Sequence, residues 1–185
     1  RSADILIHLA WSRRGSGRDQ VGDNINGVSA LLRQCAIHGV RMLFVSSYAV
    51  LFSSGTAYAR AKSSLEQLVL ASGGQVARVG LVWSAHSGGP VATLAKMSNL
   101  GYPLPIPRSR RVVVHLAHLD DVVQSLLGLA IMDHEAAASN PVSHLAHREP
   151  YDLVEVLSGL RSREGRLRTV RIPLPVLYTG IGVAH

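Results

Sequence analysis

LFVSSYAVLFSSGTAYARAKSSLEQLVLAS, residues 43–72, joins a short apolar segment, a polar loop and an amphipathic segment in direct succession. The apolar run at 43–45 predicts a buried strand that ends in Ser46 and Ser47. Ligands of open α/β sheets bind just beyond the carboxyl ends of the strands. We therefore expect these two hydroxyl groups at a ligand site.

The helix predicted after this loop carries a tyrosine and a lysine one turn apart. Tyr58 and Lys62 are four residues apart, so their side chains lie on one face of the helix. Apolar residues at helical spacing predict its buried stripe: Ala57, Ala61, Leu65 and Leu68.

A tyrosine and a lysine in this arrangement can perform acid–base chemistry. A phenol has an unperturbed pKa of about 10, and an ammonium group one turn away favours the phenolate. Tyr58 could then act as a general acid or base while a serine hydroxyl held a carbonyl or alcohol oxygen. The Y-x-x-x-K spacing also occurs by chance in helices without a catalytic role, so the pattern alone leaves both interpretations open.

The composition is that of a globular domain. With 185 residues, 47% of them hydrophobic and 17% charged, the chain can bury a good core and does not resemble a disordered sequence. No apolar run is long enough to span a bilayer, so no membrane contact is predicted. The single cysteine, Cys35, excludes a disulfide framework and fits a reducing, cytoplasmic location.

The net charge of +7 comes almost entirely from arginine. The arginines cluster at Arg108, Arg110 and Arg111 and again across residues 161–171. These clusters lack interleaved aromatic residues and belong to no recognisable nucleic-acid module, so nucleic-acid binding is not expected. A solvated surface or a contact with an anionic ligand fits them better.

Apolar strand segments alternate with amphipathic helices along the chain. The predicted strands are 5–9, 42–45, 76–82, 112–114, 141–145 and 167–172, and the predicted helices are 21–38, 57–72, 91–100, 120–132 and 151–160. Residues 101–111, rich in proline, are predicted to be an extended loop. This alternation predicts an α/β fold with a parallel sheet and crossover helices.

Several segments carry a family resemblance when they are taken in chain order. They are DILIHLAW (4–11), NINGVSALL (24–32), GVRMLFVSS (39–47), YARAK (58–62), QVARVGLVWS (75–84), HLDDV (118–122) and residues 150–160. Together they resemble the NAD-dependent epimerase/dehydratase group of the extended or atypical short-chain dehydrogenases/reductases, whose fourth strand usually ends in HLAA. The resemblance implies a Rossmann-like sheet and NAD or NADP as cofactor.

The resemblance also implies roles for individual residues. Tyr58 would be the catalytic acid/base, and Lys62 would lower its pKa and bind the nicotinamide ribose. Ser47 would hold the reacting oxygen, with Ser46 as a near alternative. The expected cofactor contacts are Leu9, Ala10, Asn24, Ser46, Tyr58, Lys62, Val79 and Gly80.

The chain departs from the family pattern in three places. No G-x-x-G-x-x-G turn follows an initial strand, since the candidates at residues 15–17 and 88–89 read as loops. Leu81 stands where many sugar-nucleotide enzymes have asparagine. Residues 50–52, VLF, replace the usual V-Y-G and shorten the loop before Tyr58.

The missing turn predicts that the chain is the C-terminal part of a doubly wound fold whose first strands are absent. Residues 1–172 would form a partial Rossmann-like domain with substrate-binding portions at about 84–111 and 140–172. Residues 173–185 would form a tail.

These observations predict an NAD(P)-dependent oxidoreductase or epimerase/dehydratase for a small carbonyl, alcohol or nucleotide-sugar substrate. The chain as given could be an inactive fragment. The alternative is a non-catalytic binding or assembly protein of the same fold. A homodimer through the helices at 21–38 and 57–72 is a further expectation.

Two further groups of residues invite a functional reading. His115, His118, Asp120 and Asp121 are attributed to helix capping and packing, so no metal site is predicted. Trp11 and Trp83 either line a pocket or belong to the core, and the sequence leaves both interpretations open.

Overall fold

The computed structural model describes residues 3–12, 18–52, 55–84, 90–108, 112–159 and 167–172. In chain order the elements are β1 (Ile5–His8), α1 (Arg18–His38), β2 (Arg41–Ser47), α2 (Ala49–Phe52), α3 (Ala57–Ala71), β3 (Gln75–Val79), β4 (Leu81–Trp83), α4 (Pro90–Asn99), β5 (Leu104–Pro107), β6 (Val113–Val114), β7 (Leu116–His118), α5 (Leu119–Ala130), α6 (His134–Ser139), β8 (Val142–Leu145), β9 (Tyr151–Asp152), α7 (Leu153–Gly159) and β10 (Thr169–Ile172). They divide into two compact units, Arg1–Gly80 with Asp120–Leu145 and Leu81–Leu119 with Ala146–His185.

The first unit is built on a four-stranded sheet in the order β1-β2-β3-β8. All three strand pairs are parallel. Parallel strands need crossover connections, which here include the helices α1 and α3. The predicted α/β architecture with a parallel sheet is therefore confirmed.

The core of this unit lies where α1 and α3 meet β2 and β3. Its buried members are Val28, Cys35, Met42, Phe44, Leu65, Val69 and Val76. Cys35 belongs to this core and is 7% exposed. This core fixes α3 against the sheet and thereby sets the position of the residues that α3 carries.

Glycines end both long helices of the first unit. Gly39 after α1 and Gly73 after α3 have φ angles of +66° and +74°, a left-handed conformation that other residues adopt with strain. Gly74 has a different reason to be glycine. A Cβ there would lie 2.7 Å from Val69 Cγ1 and 2.8 Å from the Met42 carbonyl oxygen.

The second unit contains three short strand pairs, and two predictions for it were wrong. The expected single strand at 76–82 is divided at Gly80, and β4 pairs in parallel with β7. The extended loop expected at 101–111 contains β5, which pairs in parallel with β10. Residues 109–111 of that loop and the tail at 173–185 lie outside the described residues. Among the described helices, none is long and apolar enough to cross a membrane.

Candidate active site

The helix α3 presents Tyr58 and Lys62 one turn apart, as the sequence predicts. Thr56 is its N-cap, and its Oγ1 accepts a hydrogen bond from the Ala59 N–H at 3.1 Å. Tyr58 therefore lies in the first turn, where its side chain is 39% exposed. Lys62, by contrast, is only 4% exposed.

The predicted buried stripe of α3 was partly wrong. Ala61 and Leu65 are buried, but Ala57 is exposed and Leu68 is 40% exposed. The buried face of the helix also contains residues outside the predicted stripe: Ala59, Lys62, Glu66 and Val69. Apolar spacing cannot predict a face that includes two charged residues, because their burial depends on partners elsewhere in the chain.

The Lys62 ammonium has well-defined partners in the first unit. Its Nζ donates a hydrogen bond to the Val45 carbonyl oxygen at 2.9 Å. It also lies 4.6 Å from the ring centroid of Phe44 and 4.8 Å from that of Trp11. Cation–π contacts of this kind contribute about 0.5–2 kcal/mol each. Because Val45 lies two residues before Ser47, these contacts hold Lys62 beside the end of β2.

Burial governs the charge state of Lys62. Desolvation lowers its pKa to about 8, against an opposing effect of the Glu66 carboxylate. Glu66 is itself held by Arg78, whose Nη2 lies 2.7 Å from Oε2. The bond to Glu66 raises the pKa of Arg78.

His8 lies close enough to Lys62 to respond to its charge. Burial lowers the pKa of His8, and the Lys62 ammonium lowers it further. Its ring stacks on Phe44 with centroids 5.7 Å apart. We infer that His8 is a neutral, packed residue at the end of β1.

Trp11 contacts both members of the predicted catalytic pair. Its ring meets the Tyr58 ring edge to face, with centroids 4.9 Å apart and an interplanar angle of 77°. The same indole lies over the Lys62 ammonium. Trp11 also packs against the core of the first unit, so it has contacts of both kinds that the sequence left open.

The two serines end β2 in different environments. The Ser47 Oγ accepts a hydrogen bond from the Ala49 N–H at 3.2 Å, which leaves its own hydrogen available to an acceptor. Ser46 is 5% exposed, and its Oγ has no hydrogen-bond partner among the described residues.

The predicted cofactor contacts near β1 fall into two kinds. Leu9 and Ala10 are exposed beyond the end of the strand, and Leu9 is 66% exposed. Asn24 is buried in α1 and holds the backbone of Ser12 from both sides. Its Oδ1 accepts from the Ser12 N–H at 2.8 Å, and its Nδ2 donates to the Ser12 carbonyl at 3.0 Å and to the Gln20 carbonyl at 2.7 Å. Asn24 thus fixes the backbone of Ser12, which follows β1.

Val79 and Gly80, the other predicted contacts, lie at the end of β3. The Val79 carbonyl accepts from the Tyr48 N–H at 2.9 Å, and the Gly80 N–H donates to the Leu145 carbonyl at 3.1 Å. These bonds join the carboxyl ends of β2, β3 and β8. The structure thus gathers Trp11, Tyr58 and Lys62 at one edge of the sheet, next to the ends of the strands that carry the other predicted residues.

Sequence reasoning missed an aromatic group at the same edge. The Tyr48 ring lies 5.6 Å from His144 and 6.2 Å from Phe52, measured between centroids. The signal was present, since Tyr48 follows Ser47 directly and Phe52 belongs to the segment that departs from V-Y-G. His144 lies about a hundred residues away along the chain, so its place beside Tyr48 depends on the strand order β3-β8.

No metal site is found within the described parts of the chain, where no three His, Cys, Asp or Glu residues are grouped. Asp120 and Asp121 occupy the first turn of α5, where carboxylates favour the helix dipole. Arg110, Arg111 and the glycines at 15–17 and 88–89 lie outside the described residues.

The second unit contains a cavity of its own. It measures about 470 Å³ and is lined by Trp83, Lys96, Asn99 and apolar residues of α4. An indole, a cation and a carboxamide around one cavity can bind a planar or anionic group. Trp83 also meets His118 edge to face, with centroids 5.1 Å apart.

Comparison with known proteins identifies the fold. No family model matches the chain, and no curated protein matches it in sequence. Solved structures do match. MoeE5, determined with UDP-glucose and NAD, superposes with a TM-score of 0.71 at 20% identity, over 92% of this chain and 66% of MoeE5. The fold is Rossmann-like.

Two further structures agree. UDP-glucose 4-epimerase from Thermotoga maritima, determined with UDP-glucose, gives a TM-score of 0.67 at 17% identity, over 95% of this chain and 70% of the epimerase. dTDP-glucose 4,6-dehydratase from Bacillus anthracis, determined with NAD, gives 0.68 at 14% identity, over 96% of this chain and 66% of the dehydratase. The chain thus spans about two thirds of these proteins, and identities this low support the fold alone.

Proposed function

We propose that this chain is the catalytic portion of an NAD(P)-dependent oxidoreductase or epimerase/dehydratase. The observation that supports the proposal is the position of the Tyr58–Lys62 pair beside the end of β2. Lys62 is tied to the backbone of β2 two residues before Ser47, and Tyr58 precedes it by one helical turn. A phenol, a cation and a strand-end hydroxyl around one sheet edge suit carbonyl–alcohol chemistry.

The residues of the chain fit the nicotinamide half of a dinucleotide. The exposed backbone of Leu9 and Ala10 offers a surface beyond β1, and the orphaned Ser46 Oγ offers a buried polar atom. Lys62 would hold the ribose, and the ends of β2 and β3 would flank the ring. A bound dinucleotide would supply the hydride acceptor or donor.

Proton transfer in this proposal belongs to Tyr58. Its phenol is partly exposed and can reach a substrate oxygen. A cation one helical turn away generally favours a phenolate. The Ser47 hydroxyl donates a hydrogen bond to the same oxygen, since its own oxygen already accepts from Ala49. Ser47 thus holds the substrate oxygen while Tyr58 exchanges the proton with it.

The substrate class is a small carbonyl or alcohol, or a nucleotide sugar. UDP-glucose is the ligand of two of the similar structures, which supports a nucleotide sugar. Leu81 still argues for a less polar substrate, because asparagine holds the sugar in many relatives of the resembled family.

The remaining parts of the proposal concern the setting of the protein. We place it in the cytoplasm, without a membrane or nucleic-acid partner.

A homodimer would use α1 and α3, since Ile37 and Leu68 on these helices are 71% and 40% exposed. Sedimentation of the Ile37→Glu variant tests this contact: a persisting dimer would exclude it.

The first experiment measures NAD+ binding and turnover. Calorimetry of the intact gene product with NAD+ is followed by turnover assays. Small alcohols are followed by reduced-nicotinamide absorbance, and UDP-glucose by chromatography of the sugar-nucleotide product, because epimerisation and dehydration regenerate NAD+. The Tyr58→Phe variant should lose at least about 100-fold in kcat and keep its NAD+ affinity. Turnover within a few fold of wild type would rule out the role of Tyr58.

One observation favours the alternative, a non-catalytic protein of the same fold. Lys62 is 4% exposed and bonded to a backbone carbonyl, as a purely structural lysine would be. The absence of NAD+ and NADP+ binding by the intact gene product in the calorimetric titration would support this alternative and contradict the leading one.

A further inference from the structure

We propose that Trp11 is a specificity-determining residue of the Tyr58–Lys62 site, whose indole must rotate away before a ligand can bind the Lys62 ammonium. This inference rests on the proposed function for the identity of the ligand. It departs from the resembled family, whose fourth strand usually ends in HLAA, because Trp11 occupies the place of the last alanine.

The surroundings of Lys62 identify Trp11 as its cover. Among the described residues, the contacts of the ammonium include the Val45 carbonyl at 2.9 Å, the Phe44 ring at 4.6 Å and the Trp11 ring at 4.8 Å. The first belongs to the backbone of β2, and Phe44 is fully buried in the core. The Val45 contact comes from the strand backbone, so Trp11 contributes the partly exposed side chain among these contacts that can move away from the ammonium.

The backbone beside Trp11 is fixed, which confines the motion to the side chain. Asn24 accepts from the Ser12 N–H and donates to the Ser12 carbonyl, so the residue after Trp11 is held from both sides. The indole can therefore leave Lys62 by rotation about its side-chain bonds. This rotation would also break its edge contact with the Tyr58 ring.

Rotation of Trp11 would make ligand binding selective. A ligand with a hydroxyl or phosphate for Lys62 replaces the contact with the indole, whereas a ligand without such a group gains nothing from the rotation. The apparent affinity is reduced by the fraction of molecules in which the indole has moved. A small residue at position 11 should therefore bind the same ligand more tightly.

The sequence makes the test simple, because it contains two lysines, Lys62 and Lys96, and two tryptophans, Trp11 and Trp83. Acetylation by N-acetoxysuccinimide, followed by peptide mass spectrometry, reports both lysines in one sample. The lowered pKa of Lys62, about 8, increases its reactive neutral fraction. Slow acetylation of Lys62 would therefore reflect its cover and not its protonation.

In the wild type, Lys62 should react at least about 100-fold more slowly than the exposed Lys96. The Trp11→Ala variant should raise the Lys62 rate about tenfold or more without changing that of Lys96. Trp83→Ala is the matched control, and its Lys62 rate should equal that of wild type. An unchanged Lys62 rate in folded Trp11→Ala protein would overturn the proposal.

If Trp11→Ala does not fold, Trp11→Phe replaces it, since the smaller ring covers the ammonium less completely. Its Lys62 rate should rise about threefold, and a rate equal to wild type would overturn the proposal.

A second measurement separates this inference from the proposed function. Calorimetry of the intact gene product with NAD+ should give a dissociation constant about tenfold lower for Trp11→Ala than for wild type. Equal affinities would overturn the role of Trp11. If neither protein binds NAD+, the proposed function fails, and the acetylation rates alone decide whether Trp11 covers Lys62.

Discussion

The two lysines of this chain lie in opposite environments: one is exposed, and the other is buried. The comparison shows which contacts a buried ammonium group needs. Lys96 occupies the last turn of α4 in the second unit, where it is exposed at the rim of a cavity. Lys62 lies on the buried face of α3 in the first unit, under two aromatic rings. A buried ammonium costs free energy unless it is paired or hydrogen-bonded, so the first unit maintains Lys62 through specific contacts.

The largest effect is expected from the carboxylate that supports this buried charge. Glu66→Ala leaves Arg78 without its partner and Lys62 without its nearest counter-charge, which should destabilise the protein by about 3–5 kcal/mol. Urea unfolding measures the loss. Glu135→Ala on α6, where the residue is exposed, is the control and should stay within about 0.5 kcal/mol. Equal losses in the two variants would contradict the role of Glu66.

The second effect is a pH dependence specific to Lys62. Burial lowers its pKa to about 8, whereas an unfolded chain titrates near 10.5. Between these values the unfolded state binds more protons, so the stability of the wild type rises with pH. Below about pH 8 both states are protonated, and the cost of burying the charge, on the order of 3 kcal/mol, is fully present.

Lys62→Met removes this cost and the pH dependence with it. The stability of the variant relative to wild type should therefore be greatest below about pH 8 and should decline as the pH approaches 10.5. Lys96→Met is the matched control, and its relative stability should not change over this interval. A flat difference for Lys62→Met would mean that the ammonium is not buried in solution.

The smallest effect concerns the start of α3. Thr56→Ala removes the N-cap bond to the Ala59 N–H and should cost about 1 kcal/mol. Ser64→Ala, at an exposed position on the same helix, should change the free energy of unfolding by less than about 0.5 kcal/mol. A Thr56→Ala loss no larger than that of Ser64→Ala would show that the first turn, with Tyr58, is held by other contacts.

Local sequence was sufficient to predict the architecture and the Tyr58–Lys62 pair. Apolar runs and helical periodicity identified every strand of the main sheet, because parallel strands buried on both faces have this composition. The i, i+4 spacing placed Tyr58 and Lys62 one turn apart, since helix geometry depends on neighbouring residues alone.

The errors all arise from contacts between distant parts of the chain. The face of α3 was misplaced because the burial of Lys62 depends on Val45 and Phe44, which precede it by seventeen and eighteen residues. Residues 104–107 were assigned to a loop because their strand partner, residues 169–172, lies more than sixty positions away. The place of Trp11 against the pair could not be predicted either, since it depends on how the chain after β1 returns to α3.

The glycine at position 74 gives the candidate site a long-range sensitivity. A single methyl group there would push against Val69 and the strand containing Met42. A displacement of Val69 would be transmitted along α3 to Lys62, which lies roughly 10 Å away along the helix axis. A substitution at Gly74 would in this way change the positions of the Tyr58 phenol and the Lys62 ammonium, although Gly74 itself follows the other end of α3.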